Sequence, residues 1–362
     1  MPFRAFVRPI LALTAVLCAG TALAEPAVLK SSSPGTGLYE VVVSEALGRV
    51  YVAAAGSRGE DNGAILGLDP TTLDVKETIQ LGKEAGYGLG LNDKTRTLYT
   101  TQTRTGTVAA IDLASGKVVA TIKHGEDAHL REAVVDEDAN RIYVTAFTRG
   151  DEPGEVWIID GATNTLAGTI GGLKGGVTGM ALDAKSQRLF VTAMQANELY
   201  EIDLAGPKVK RSFPAGGESP VNVAYDAEGD RLFVANQGSG TLTVLSAEDG
   251  AVLESIPTGE GALGVSFDPE RGIVYVANRR GGFVSLVDAK ELKVVANVVT
   301  GSMPNTVAID EATGTVYVTN KVKSVPRPPR PEGAPAQAAG SPPPRPPVMV
   351  DPNGDTVTIV TP

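Results

Sequence analysis

DAEGDRLFVAN, from Asp226 to Asn236, is the stretch that decides the fold of this 362-residue chain. A turn-type polar residue, Asp226, is followed seven positions later by an aromatic residue, Phe233, within a run of strand-forming side chains. An aspartate in such a place hydrogen-bonds to the backbone that follows it and marks a tight turn between two strands. The segment therefore predicts a short β-hairpin.

The same pattern occurs seven times along the chain. The aromatic residues are Tyr51, Tyr99, Tyr143, Phe190, Phe233, Tyr275 and Tyr317. The polar residues seven positions before them are Ser44, Asn92, Asp136, Asp183, Asp226, Asp268 and Asp310. A third alternating segment follows in each repeat and closes at Asp69, Asp112, Asp160, Asp203, Ser246, Asp288 and Thr361. The period of 42 to 48 residues, without a long helical pattern, predicts seven four-stranded antiparallel blades.

Seven such blades make an all-β, seven-bladed β-propeller, which we expect to be a single domain over residues 25–362 because an isolated blade cannot bury its faces. The last repeat supplies only three strands after Thr306, whereas a spare strand-like segment, Ala27 to Lys30, precedes the first repeat. Pairing of this N-terminal strand in the last blade would close the ring and remove an exposed sheet edge.

A proline-rich insertion interrupts the last repeat. Ten prolines lie between Pro326 and Pro347, and the strand-like segment Asp355 to Val360 follows them. The predicted insertion, residues 322–354, occupies the connection between the second and third strands of the blade. We expect either a solvated loop or an element that docks a protein partner, since proline keeps a segment extended.

Residues 1–24 have the pattern of an export signal. Arg4 and Arg8 precede an apolar stretch, and Ala22-Leu23-Ala24 resembles a cleavage site, so a periplasmic location is expected. Removal of the segment leaves 30 basic and 42 acidic residues, which argues against broad attraction to nucleic acid and leaves a local basic face open. It also removes Cys18, the only cysteine. No other stretch is long enough to span a membrane.

The tetrapeptides YVTN, from Tyr317 to Asn320, YVAN, from Tyr275 to Asn278, and FVAN, from Phe233 to Asn236, resemble the YVTN family of bacterial β-propellers. The resemblance covers nearly the whole chain after residue 24. It implies an exported, non-enzymatic seven-bladed ring, and single-stranded DNA binding has been proposed for periplasmic members. Other YVTN-like propellers are lactonases or subunits of redox enzymes, so the fold does not decide the activity.

The candidate ligand-binding residues lie where propellers gather their loops around the axis. The positions four and five residues before each turn contribute Tyr39, Glu40, Tyr87, Arg131, Asn222 and Asn305. Neighbouring loops contribute Arg58, Arg104, Arg149, Arg279, Arg280 and Lys321. Either these are solvated loop residues, or the arginines bind phosphate or carboxylate while the tyrosines stack on a ligand. In the second case Tyr39, Tyr87 and Arg131 would form the centre of the site.

The leading hypothesis is a recognition module without catalysis that binds a macromolecule or a small anion, single-stranded DNA being the most concrete case. The alternative is a lactonase-like hydrolase or lyase, for which His129 and Glu132 are weak catalytic candidates because they group a base and a carboxylate. A third option is a structural scaffold. No cofactor and no metal site are expected, and a monomer is expected.

Overall fold

The structure is a computed structural model that describes residues 26–57, 59–125, 128–148, 152–323 and 351–361. The regular secondary structure of these residues is 28 β-strands arranged in seven four-stranded antiparallel sheets. The predicted seven-bladed propeller is therefore confirmed. The expected export signal, Arg58, Arg149 and residues 324–350 of the proline-rich insertion lie outside the described residues.

The first four blades follow one another along the chain. Blade 1 contains β2 (Leu38–Ser44), β3 (Arg49–Ala54), β4 (Gly63–Leu68) and β5 (Val75–Gly82). Blade 2 contains β6 (Leu89–Asn92), β7 (Thr97–Gln102), β8 (Thr107–Asp112) and β9 (Lys117–Lys123). Blade 3 contains β10 (His129–Asp136), β11 (Arg141–Phe147), β12 (Gly154–Asp160) and β13 (Thr165–Leu173). Blade 4 contains β14 (Val177–Asp183), β15 (Arg188–Ala193), β16 (Glu198–Asp203) and β17 (Lys208–Pro214).

The remaining blades complete the ring. Blade 5 contains β18 (Pro220–Asp226), β19 (Arg231–Asn236), β20 (Thr241–Ser246) and β21 (Val252–Pro257). Blade 6 contains β22 (Ala262–Asp268), β23 (Ile273–Asn278), β24 (Phe283–Asp288) and β25 (Lys293–Val299). Blade 7 contains β26 (Pro304–Asp310), β27 (Thr315–Asn320), β28 (Thr356–Thr361) and, at its outer edge, β1 (Ala27–Ser32). The first strands of adjacent blades contact each other around the axis.

The N-terminal strand closes the ring as predicted. Ala27 pairs with Thr361 and Ser32 pairs with Val357, so both ends of the described chain belong to one sheet. The strands β27 and β28 are neighbours in that sheet, and the proline-rich run lies between them in the sequence. No helix of the described residues is long and apolar enough to cross a membrane.

The hairpin turns form for the reason that the sequence indicates. The Asp226 carboxylate accepts a hydrogen bond from the Gly229 backbone N–H at 2.9 Å, and the Asp136 carboxylate accepts one from Ala139 at 2.9 Å. The bonded N–H lies three residues after the aspartate. Each turn therefore ends its first strand at a set position, which keeps the preceding residues in register around the ring.

The core lies between the blades. The repeated aromatic residues are almost completely buried, and each packs among apolar side chains of an adjacent blade. Where blade 7 meets blade 1 and the ring closes, Leu38 and Leu66 of blade 1 pack in one hydrophobic cluster with Tyr317 and Ile359 of blade 7. Because every cluster needs two neighbouring sheets, the ring stabilises all seven blades together.

Candidate functional site

A cavity of about 620 Å³ opens where the first strands of the blades surround the axis, and residues of all seven blades line it. Its volume is within the range of ligand pockets, roughly 300–1,000 Å³. Eight of the predicted binding residues line it, namely Tyr39, Glu40, Tyr87, Arg104, Arg131, Asn222, Arg279 and Asn305. His129 and Glu132, the weak catalytic candidates, line it as well.

Two predicted residues lie elsewhere. Arg280 is exposed in the loop after β23 and donates a hydrogen bond to the Gln237 carbonyl at 3.2 Å. Lys321 does not line the cavity, but its Nζ lies 2.8 Å from the ring centroid of Tyr39, which does. Thr103 lines the cavity and was missed by the sequence analysis, because it follows β7 outside the repeated positions.

Irregular strand starts direct the site residues towards the axis. The register of β10 with β11 shifts between Leu130 and Ala133, and comparable shifts occur at the start of β2, β14, β18, β22 and β26. Such a bulge changes the direction of the side chains within it. In these six blades the positions four and five residues before the turn lie at the bulges, whereas in blade 2 Tyr87 and Gly88 directly precede β6. In all seven blades these positions are therefore at the start of the first strand, which explains why they meet in the cavity.

Buried threonines connect the bulges of adjacent blades. The Thr145 hydroxyl accepts a hydrogen bond from the Glu132 N–H at 3.1 Å and donates one to the Thr178 carbonyl of the next blade at 2.7 Å. Thr101 likewise accepts from Gly88 N–H and donates to the Arg131 carbonyl, each at 2.8 Å. These threonines stand two residues after the repeated aromatics. They hold the backbone around the opening of the cavity, which we call the mouth, in place independently of any ligand.

Glycine alternates with larger residues at the bulges. The position four residues before the turn is Gly88, Gly179 and Gly264 in blades 2, 4 and 6. A Cβ on any of the three would lie only 2.2–2.4 Å from a carbonyl oxygen of the next blade, that of Arg131, Val221 or Asn305. Glycine is therefore needed at this position of the even blades, because the backbone of the next blade passes close to it.

Aromatic and basic side chains line part of the cavity. The rings of Tyr39 and Tyr87 meet edge to face with centroids 4.6 Å apart, and the Arg104 guanidinium lies 5.6 Å from the Tyr87 ring centroid. The Arg279 Nε is buried without a hydrogen-bond partner among the described residues. Burial lowers the pKa of Arg279, and burial together with the charge of Arg279 lowers the pKa of Lys321 to about 6.

Two carboxyl groups, those of Glu40 and Glu132, also line the cavity. Burial raises the pKa of Glu40 to about 8, while burial and the charge of Glu40 raise the pKa of Glu132 well above its usual value. The Met180 N–H donates to Glu132 Oε2 at 3.2 Å, and the Asn222 amide nitrogen, turned to face it, donates to the same oxygen at 3.1 Å. No described salt bridge includes either glutamate. Two carboxyl groups in this environment favour the protonated form.

The arrangement can bind charged groups in two ways. The arginines offer guanidinium donors to an anion, and the neutral carboxyl groups of Glu40 and Glu132 can donate further hydrogen bonds. Among the described residues, no group of three or more His, Cys, Asp or Glu side chains is arranged to hold a metal ion.

The fold and the cavity define a seven-bladed β-propeller. On its axis it has a cavity of ligand size that is lined by both basic and acidic side chains. The chain belongs to the YNCE-like beta-propeller family, whose model matches residues 6–324. The YncE protein of Salmonella typhi is 32% identical over 235 residues, which are 61% of this chain and 65% of the relative. The YncE protein of Escherichia coli K12 is 31% identical over 239 residues, 62% of this chain and 66% of the relative. The matched part is thus slightly less than two thirds of each relative.

A solved structure, Kuenenia stuttgartiensis hydrazine synthase, superimposes with a TM-score of 0.67 over 78% of this chain and 92% of that chain. Its sequence identity is 15%, so the likeness concerns the fold alone.

Proposed function

We propose that the protein is an exported recognition module that binds an anionic ligand at the axial mouth without transforming it. The observation that supports this most directly is the Arg279 guanidinium, which lines the cavity. Its Nε is buried without a hydrogen-bond partner among the described residues, and no described salt bridge includes Arg279. A buried cation without a counter-charge is costly, and a bound phosphate or carboxylate would offset that cost.

Single-stranded DNA is the polymeric ligand that suits this mouth best. Its phosphates match the guanidinium groups, and its bases can stack on Tyr39 or Tyr87. The negative net charge of the whole chain confines such binding to a local basic surface. The sequence resemblance to periplasmic propellers supports the same ligand.

The test compares two adjacent arginines that differ in location. Binding of a fluorescently labelled oligothymidylate to the purified protein is measured by anisotropy at several salt concentrations. Arg279→Met is expected to weaken binding by roughly tenfold or more, because it removes a charged donor from the cavity. Arg280→Met, on the exposed side of the same loop, should change binding less than about twofold.

The affinity for the oligonucleotide should also fall as salt rises, since phosphate contacts release counterions. Equal effects of the two substitutions, or an affinity that does not depend on salt, would contradict the proposal. A titration with nucleoside monophosphates by calorimetry separates a polymer-specific site from a small-anion site.

A hydrolase or lyase remains a second candidate function, because the Glu40 and Glu132 carboxyl groups have the raised pKa values of potential proton donors. It predicts turnover of a lactone panel that Glu132→Gln abolishes and that Arg280→Met leaves intact. Turnover that survives both Glu132→Gln and His129→Ala would exclude the proposed residues.

Two further parts of the proposal are that the protein is exported and that its proline-rich insertion docks a protein partner. The supporting feature for export is the signal pattern of residues 1–24. Mass spectrometry of the protein from an osmotic-shock fraction should show an N-terminus at residue 25. An N-terminus at residue 1 would contradict export.

A further inference from the structure

Two glutamates at the same aligned position line the axial cavity. Glu40 in blade 1 and Glu132 in blade 3 each stand four residues before the turn. Blade 2 lies between these blades and has Gly88 at that position, which adds no side chain. Both glutamates are half-buried and face the cavity, so their carboxyl groups are open to a ligand that enters it.

The donors described for these carboxyl groups are neutral. Glu132 Oε2 accepts hydrogen bonds from the Met180 N–H at 3.2 Å and from the turned Asn222 amide at 3.1 Å. The Val41 N–H is a backbone donor to Glu40. No described salt bridge includes either glutamate. The described part of the ring therefore places two carboxyl groups in one cavity and pairs neither of them with a cation.

An ammonium group fits this pair of carboxyl groups. It has three N–H donors and no acceptor, whereas two carboxyl groups together offer several lone pairs. The free carboxyl groups favour their protonated form, because burial raises the pKa of both. A cation within about 4–6 Å favours the ionised form instead. A bound ammonium group would thus take the place of a proton.

The same cavity also contains a cation without a partner. The Arg279 guanidinium lines it, and its buried Nε has no hydrogen-bond partner among the described residues. No described salt bridge joins Arg279 to Glu40 or Glu132, although all three line one cavity. A ligand that carries both signs of charge can satisfy both sets of groups, and the link between its charges makes the second contact intramolecular.

We propose that the axial cavity binds a small zwitterion, a molecule that carries a primary ammonium group together with a phosphate or a carboxylate. The ammonium group lies against Glu40 and Glu132, and the anionic group lies against Arg279. This inference rests on the proposed function for the anionic half of the ligand, and it adds the cationic half.

The test compares two ligands of nearly the same shape. 3-Aminopropyl phosphate carries both charges, whereas butyl phosphate has a methyl group in place of the ammonium group. Their binding to the purified protein is measured by calorimetry at pH 8, near the pKa of about 8 of Glu40 and well below that of an alkylammonium group. The amino compound should bind roughly tenfold more tightly or better, because it adds charged hydrogen bonds. A longer pair, 5-aminopentyl phosphate and hexyl phosphate, varies the spacing between the two charges.

Substitutions assign each half of the ligand to its residues. Glu132→Gln keeps the shape of the side chain and should lower the preference for the amino compound roughly threefold or more. The double substitution of Glu40→Gln with Glu132→Gln should remove that preference. Arg279→Met should weaken both compounds by roughly tenfold. Arg280→Met, which does not alter the cavity lining, should change either affinity by less than about twofold.

The outcomes separate this inference from the proposed function. Equal affinity of the amino and methyl compounds at both chain lengths, with Arg279→Met weakening both, would overturn the zwitterion site and leave the anion site standing. A preference for the amino compound that survives the double substitution would also overturn it, since the ammonium group would then lie elsewhere. If neither alkyl phosphate binds, while butylamine binds to wild type and not to the double variant, the proposed function fails and the zwitterion fails with it. Only an ammonium site at the two glutamates would then stand.

Discussion

Replacement of Thr145 by valine should destabilise the propeller by about 2–4 kcal/mol, although the two side chains have nearly the same shape. Thr145 is completely buried. Its hydroxyl is the hydrogen-bond partner of two backbone groups in different blades, the Glu132 N–H and the Thr178 carbonyl. Valine can neither accept nor donate a hydrogen bond, so both groups lose this partner at once.

The magnitude follows from the cost of leaving buried backbone groups unpaired. Each such group costs about 1–3 kcal/mol, and water cannot replace the hydroxyl at a completely buried position. The additional methyl group of valine recovers part of this cost through apolar burial. Thr145→Ser is the matched control, because it keeps the hydroxyl and should lose about 1 kcal/mol for the missing methyl group.

Urea denaturation followed by circular dichroism measures the free energy of unfolding of the three proteins. The change should appear in the midpoint, with an unchanged slope. Thr145→Val within about 0.5 kcal/mol of wild type, or less destabilised than Thr145→Ser, would refute the role assigned to these threonines. The Thr145 hydroxyl would then not connect the blades energetically.

Two further predictions concern charged residues. Because burial raises the pKa of Glu40 from 4.5 to about 8, the folded chain binds this proton more tightly than the unfolded chain and loses stability as the pH rises through that window. Glu40→Gln should remove about 3 kcal/mol of that loss between pH 5 and pH 8, measured as the free energy of unfolding in urea. A pH dependence equal to that of wild type would contradict the burial of Glu40. Arg188→Met should cost about 3 kcal/mol in the same assay, because it leaves the buried Asp183 without its cation, 2.7 Å away. Arg49→Met, whose guanidinium donates to the Gly48 carbonyl at the surface, should change stability by less than about 0.5 kcal/mol, and equal losses would refute the distinction.

The fold was predictable because it depends on features that repeat. The interval between turn residue and aromatic never varies, so seven hairpins could be aligned without knowledge of their contacts. Closure by the N-terminal strand followed from a count of strands in the last repeat. A repeated hydrogen-bonding turn and a repeated buried aromatic are local properties, and the ring follows from them by packing.

The candidate site was predictable only in part. The aligned positions correctly placed Tyr39, Tyr87 and Arg131 at one opening, but they could not separate Arg279 from Arg280. The two are consecutive, but Arg279 lines the cavity, whereas the side chain of Arg280 is exposed and bonds to the Gln237 carbonyl. That difference arises from the local path of the backbone, which no composition or spacing reveals.

The coupling of Glu40 with Glu132 lies beyond sequence reasoning for a different reason. Both occupy the same aligned position in blades 1 and 3, which indicates that they are near the axis. Their raised pKa values depend on how much water reaches them and on the absence of a described salt bridge to either carboxylate. Depth and solvent access are properties of the assembled ring, and the repeat pattern contains neither.

The way in which the mouth is built also bears on its function. Several of its side chains, including Arg131 and Glu132, project from strand bulges that threonine hydroxyls connect to the adjacent blade, as with Thr101 and the Arg131 carbonyl, so their backbone positions are set before a ligand arrives. Groups held in this way bind with a smaller loss of conformational entropy than groups on free loops. Gly88, Gly179 and Gly264 add no side chain at the aligned position of the even blades, and the charge of the cavity therefore comes from a small set of side chains, chiefly Glu40, Arg104, Arg131, Glu132 and Arg279. Substitution of those side chains should change what the mouth binds while the threonine and glycine framework keeps the ring intact.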